Sequence, residues 1–180
     1  ICLDRTTTGD GIISALQVSN HHIQGWFTAI PASDYFTRQG EVWSAFDNVD
    51  HVIKAVKPIA KALKLPRLAL QTMFGKPQHS SRTYEEVCTV YSDEIAKGAK
   101  AAGPFLPSEA PVTDKEQAKA EQLQKVSKII EDLVSALEKW EEDALDQCQL
   151  PHPLIGNLTM REMLFFTIHH NLRHARLEGD

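Results

Sequence analysis

The chain has little of what marks several protein classes. Cysteine occurs only three times, at Cys2, Cys88 and Cys148, with no CxxC spacing and an odd total. That argues against a disulfide-stapled secreted protein and for a reduced, cytoplasmic one. No apolar run approaches the roughly 18 residues of a membrane span, so no membrane insertion is expected. Lysine and arginine form no cluster, and the formal net charge is −5. A nucleic-acid surface normally needs a basic patch, so no nucleic-acid partner is expected. No stretch shows a convincing strand alternation. The sequence opens at Ile1 rather than Met, so preceding residues, with any targeting signal, are expected to be missing from it.

What is present is helical. With 180 residues, 42% of them apolar and 24% charged, the chain has the length and composition of one globular domain over 1–180 with a sizeable core. A first helix is expected from Ile12 to Ile30, stopped by Pro31, with His21 and His22 as polar surface positions. After Gln39-Gly40 comes a second, in which Val42, Phe46, Val49, Ile53, Val56, Ala60 and Leu63 repeat at spacings of 4 and 3. That is the seam of a helix packed along another, with Pro58 expected to kink it or end it early. Leu65–Ser81 is a connection with one helical turn near Leu68–Phe74. Thr83-x-x-Glu86 is a capping box opening a shorter helix that Gly98 stops.

Thr113-x-x-Glu116 is a second capping box, opening the longest helix, about Asp114 to Gln147. Its seam is Leu123, Val126, Ile130, Leu133, Leu137, Trp140 and Ala144, and it would run about 50 Å as a bundle helix or a coiled-coil strand. Leu150–Asn157 is a tight connection, and Thr159-x-x-Glu162 opens the last helix. The fold class these segments predict is all-α: a four-helix bundle with a short extra helix in the long connection between helices 2 and 3. That long connection lets helices 2 and 3 run parallel.

The last helix carries the chemistry. It contains His169-His170-Asn171-Leu172-Arg173-His174. His170 and His174 are four residues apart, so their rings lie one turn above each other and can share a divalent metal. They fall on an inner stripe with Met163 and Thr167. His169 falls with Glu162, Arg173 and Arg176 on the face expected to be wet. Two imidazoles make a weak site. No cysteine or carboxylate cluster supplies a third ligand, which leaves His51 on the second helix as the best candidate. His51 points almost directly away from its own seam, beside Ser44, Asn48 and Ala55. Two readings stay open for it: an exposed histidine on a polar face, or a ring facing a groove left by small residues. Three histidines would leave coordination positions for water or substrate. Asp47, Asn48, Asp50 and Glu162 read as caps or surface residues that could also support a site, His152 reads as structural, and Trp26, Trp43 and Trp140 read as core.

Several motifs in order resemble one family: Trp43-Ser44 through Asn48-Val49-Asp50-His51-Val52, Phe74-Gly75-Lys76-Pro77, His152 through Met163, and His170-x-x-x-His174. Together they resemble the DinB-like (DNA-damage-inducible, YfiT-related) superfamily from about Trp26 onward. The resemblance implies a four-helix bundle with up-down-down-up topology. It also implies a three-histidine site for a divalent metal, zinc or nickel, with His51, His170 and His174 as ligands and Asn48, Met163 and Thr167 around them. Its members include low-molecular-weight-thiol S-transferases and isomerases and proteins described as metal-dependent hydrolases. The substrate implied is a small molecule or thiol. The second reading is a non-catalytic metal- or ligand-binding bundle, dimeric through an exposed seam. DNA binding, which the family name suggests, is opposed by the acidic balance.

Overall fold

Most helices begin where a short polar side chain can take an orphan amide or where proline pre-sets the first turn. The structure, a computed structural model, describes residues 8–109 and 112–175. Helix α1 (Gly9–Ala29) opens on Thr8, whose side chain accepts from Gly11 N. The short α2 (Ala32–Tyr35) follows Pro31. Helix α3 (Ala45–Ala62) starts on a Ser44/Asp47 capping box, and α4 (Arg67–Phe74) follows Pro66. Helix α5 (Tyr84–Ala96) uses the Thr83/Glu86 box, and α6 (Lys115–Leu137) is capped by Asp114. Two short antiparallel strands, β1 (Gln149–His152) and β2 (Gly156–Thr159), lead into α7 (Met160–His174) with its Thr159/Glu162 box.

Helices α1 and α3 each pack against both α6 and α7, so these four close a ring around one core. Side-chain bonds record the pairing. Gln24 meets Leu123 and Asn20 meets Ser127 between α1 and α6, Gln122 meets Phe46 between α6 and α3, and Trp140, beyond α6, meets Leu63 just past the end of α3. Ser19 meets Asn171 between α1 and α7, and His51 meets His170 between α3 and α7. Inside the ring Ile12, Leu16, Val49, Val56, Val126, Leu133, Leu164 and Ile168 are fully buried, each contributing about 1.5–3 kcal/mol of apolar burial. Helix α5 lies on the outer side of α7, and α4 packs on β1.

Several expectations are corrected. The longest helix does not reach Gln147: it ends at Leu137, and a 3-10 turn at Glu142–Asp146 leads into β1. Trp140 explains this. Its Nε1 donates to Leu63 O at the open C-terminal end of α3, so the seam's last positions fold back over the neighbour instead of extending it. The Leu150–Asn157 connection is a β-hairpin turned over 153–155, and Gly156, with a φ of +76°, starts the return strand. Its strands are too short to alternate visibly in the sequence. The α6 cap is Asp114 rather than Thr113. Helix α3 runs a turn beyond Pro58. Val42 lies outside the helix and is 57% exposed, and Trp26, expected in the core, is 40% exposed.

Candidate metal centre between α3 and α7

His51 is buried because α3 faces two neighbours. One stripe, the apolar seam, meets α6; another meets α7. The exposed-face reading of His51 therefore fails: periodicity reports the apolar stripe and is blind to a second, polar contact face. His51 Nε2 lies 2.9 Å from His170 Nε2. The ring centroids of His51, His170 and His174 are 4.5–4.9 Å apart pairwise. One ring nitrogen from each falls within 4.8 Å of the other two, and no further His, Cys or carboxylate joins the group among the described residues.

Partners on the far side of two rings set the tautomers. His51 Nδ1 lies 2.7 Å from Phe105 O. A carbonyl only accepts, so Nδ1 carries the proton and Nε2 presents a lone pair. His174 Nδ1 lies 2.8 Å from Asn48 Oδ1, and Asn48 donates its Nδ2 to Ser44 O at 2.8 Å. The amide is thus oriented oxygen-first, His174 Nδ1 donates, and its Nε2 is also a bare lone pair. Metal-binding histidines are commonly oriented this way. His170 Nδ1 is buried with no hydrogen-bond partner among the described residues. Without a metal, His170 Nε2 is the proton donor available to the His51 lone pair.

Burial holds the rings neutral. It pushes His174 down to about 3, with the neighbouring His51 and Arg173 adding to the shift. His170 is pushed well below its ordinary value and His51 is lowered, again by burial first. Neutral imidazole is the ligand form, so the set is ready at neutral pH. Three such nitrogens fit a borderline transition metal such as zinc or nickel better than magnesium or calcium, which prefer oxygen.

The surroundings are aromatic. Trp43 stacks on His174 at 6.2 Å and lies 5.1 Å from His51, while Phe166 lies 5.1 Å from His170. A segment after α5 straps over α3. Lys54 Nζ donates to Leu106 O and Ser108 Oγ, and Ser108 N donates to Asp50, so the Phe105 carbonyl is held against His51. The sequence showed no signal for this strap, because a backbone carbonyl leaves no residue signature.

The other expected residues divide. Asn48 contacts His174 directly. Met163 and Thr167 are buried on α7, with the Thr167 hydroxyl donating to Met163 O. Asp47 closes the α3 cap and pairs with Arg38, and Asp50 pairs with Lys54. His152 Nδ1 accepts from the Leu154 and Ile155 amides, and its ring packs 4.3 Å from Phe166. His21 is exposed, and His22 contacts Ala175 O.

Two expected surface residues are interior. His169 is buried against Tyr84 and Tyr91, because α5 covers that face of α7. Glu162 is fully buried. It accepts from Arg82 N and Nε and from Thr159 N. Burial raises its pKa, but these donors outweigh it and the net shift is downward. A cleft of about 570 Å³ near Leu63, Arg67 and Trp140 does not include the histidines.

Fold and site together define a helical protein in which three neutral imidazoles, two buried and one half-buried, converge from two helices and could hold a metal ion. A sequence profile of the DinB superfamily matches residues 15–177, and the chain belongs to that superfamily. Comparisons with curated proteins and with solved structures returned no match.

Proposed function

We propose that this is a divalent-metal protein, with zinc or nickel held by His51, His170 and His174, that transfers groups to or from a small thiol or hydrolyses a small substrate. One observation carries the reading: two Nε2 lone pairs, each set by an oxygen acceptor behind its ring, converge on a third imidazole in a buried site. Two buried lone pairs repel unless a proton or cation lies between them. A bound divalent cation would supply Lewis acidity to a thiol, water or carbonyl. His51 and His174 would bind it through Nε2, with the Phe105 carbonyl and Asn48 orienting them. Trp43 and Phe166 would keep bulk water from the rings, and Met163 and Thr167 would line the α7 side. Among the described residues the nearby carboxylates are already engaged, Asp47 by Arg38 and Asp50 by Lys54. None is therefore assigned as a general base.

The finer fold reading, supported by the contacts paired along the four helices, is up-down-down-up within a single domain. The low, odd cysteine count fits a reducing cytoplasm. No helix among the described residues is long and apolar enough to cross a membrane. We assign no nucleic-acid partner, and pairing into a homodimer is a matter for measurement.

The test is metal analysis of protein purified without added metal, with His170→Ala as control. Stoichiometric metal in wild type and none in the variant is expected; metal-free wild type overturns the reading. Loaded protein is then screened with glutathione, bacillithiol and mycothiol against ester and electrophile substrates. Turnover makes it an enzyme, and binding without turnover makes it the non-catalytic bundle.

A further inference from the structure

The strap over α3 is fastened by polar bonds rather than by apolar packing. It runs from Gly103, whose φ is +58°, to Ser108, and Pro104 and Pro107 stiffen it on either side of Phe105-Leu106. Leu106 is 47% exposed, and neither it nor Phe105 joins the apolar core of the described residues. Two residues of α3 hold it. All three ammonium protons of Lys54 have acceptors: Leu106 O, Ser108 Oγ at 2.8 Å and Asp50 Oδ2 at 2.8 Å. Asp50 Oδ2 also accepts from Ser108 N at 2.8 Å. The clamped residues directly follow Phe105, whose carbonyl lies 2.7 Å from His51 Nδ1.

The consequence concerns one proton. A neutral imidazole carries a single N–H, and the hydrogen bond its ring makes decides which nitrogen holds it. With the strap in place Nδ1 holds it and Nε2 can bind a metal. With the strap away, the tautomer protonated at Nε2 becomes accessible, and that nitrogen can no longer be a ligand. His174 is different, because its partner Asn48 lies on α3 and is itself tied to Ser44 O. His51 alone takes its orienting partner from a separate segment.

We propose that Lys54 and Asp50 are positioning residues of the metal centre: by clamping the strap they keep the Phe105 carbonyl on His51 and leave His51 Nε2 free for the metal. The inference rests on the metal reading and adds a coupling to it. Metal binding and strap closure are linked, and linkage is reciprocal: the factor by which closure raises metal affinity is the factor by which bound metal favours closure. The sign separates this from plain electrostatics. Lys54 is a cation beside a cation site, so removing its charge alone would tighten metal binding. Losing the clamp weakens it.

The experiment compares wild type with Lys54→Met and with Lys57→Met, an exposed lysine three residues on. Nitrogen NMR reads the His51 tautomer in metal-free protein, solvent exchange of the Ser108 amide reads the strap with and without zinc, and competition with a chromophoric chelator reads zinc affinity. Wild-type His51 is expected to be protonated at Nδ1. Lys54→Met should gain the Nε2-protonated form, speed Ser108 exchange and weaken zinc binding by about tenfold or more. Saturating zinc should slow Ser108 exchange in wild type by at least that same factor. Lys57→Met should leave all three readouts near wild type. Should Lys54→Met fail to fold, Asp50→Ala, which removes the acceptor of the Ser108 amide, carries the same expectation for the tautomer and the exchange. An unchanged His51 tautomer, zinc affinity that holds or rises in Lys54→Met, or equal weakening in Lys57→Met overturns the inference and leaves the metal reading standing. Wild type that binds no zinc overturns the metal reading. A tautomer shift in metal-free Lys54→Met would then still support the positioning role, and its absence would end both.

Discussion

The two ends of α7 bury polar groups in opposite ways. At the N-terminal end, Glu162 is surrounded by donors: the Arg82 amide and guanidinium and the Thr159 amide. Arg161 beside it pairs with Asp146 and Glu142. Every charge there has an opposite charge. At the C-terminal end, His51, His170 and His174 meet with no carboxylate joining the group among the described residues, and two lone pairs face inward. The first cluster is electrostatically closed and ties the 75–83 loop and the hairpin to α7. The second is open and could hold a metal ion. A closed cluster serves the fold, whereas an open one is where a ligand can enter.

The comparison can be broken at either end. The largest effect is expected from Glu162→Ala, which removes both an N-cap partner and the buried half of an ion pair. A loss of about 3 kcal/mol is expected in urea unfolding of the metal-free protein. A loss below about 1 kcal/mol would mean that the cluster is not closed in this sense. At the other end, Asn48→Ala frees the His174 ring to turn. It should weaken metal binding by about 10- to 100-fold, read by competition with a chromophoric chelator, with little change in metal-free stability. Unchanged affinity would show that Asn48 does not orient the ring.

Acid should separate the two ends by pH. Burial depresses His174 to about 3 and His152 to about 4, below the ordinary 6.5. The unfolded chain therefore takes up protons first. The stability of neutral rings is present above about 6.5 and is lost as pH falls from there toward 4 and 3. The Glu162 pKa is lowered from 4.5, so its share is present above about 4.5 and is lost only as pH falls below that. Metal-free protein should thus lose stability in two phases, and His152→Gln should flatten the upper one. A single phase confined below pH 4.5 would contradict buried neutral histidines. The smallest effect is expected from His170→Leu. An apolar side chain there replaces a ring whose Nδ1 lacks a hydrogen-bond partner among the described residues. Metal-free stability should stay within about 1 kcal/mol of wild type or rise, while metal binding disappears. A loss of several kcal/mol would make the open cluster structural after all.

Much of the α7 end was legible. The spacing of His170 and His174 needs only helical geometry, and the Thr83 and Thr159 boxes are local hydrogen-bond patterns that the structure repeats. His51 was the best third ligand by elimination, but its inward orientation was legible only by resemblance, since its helix presents two contact faces and hydropathy reports one. His169 and Glu162 were misplaced for a related reason: a polar stripe looks wet until another element covers it, and α5 and the Arg82 loop do so here. Asp47 was legible as a cap, but its ion pair with Arg38 was not.

By itself the sequence determined what depends on near neighbours: helical periods, most caps, the stop at Gly98 and the one-turn spacing of two histidines. Short-range sterics and backbone hydrogen bonds decide those wherever the segment lies. Only the tertiary structure decided what depends on distant partners. It brought His51 to residues more than a hundred positions away, laid the Phe105 carbonyl behind its ring and shortened α6 by seating Trp140 on the end of α3. At the N-terminal end of α7 it also gave Glu162 and Arg161 their ion partners. Burial and ion pairing are properties of the packed ring of helices, and no local pattern encodes which groups will meet.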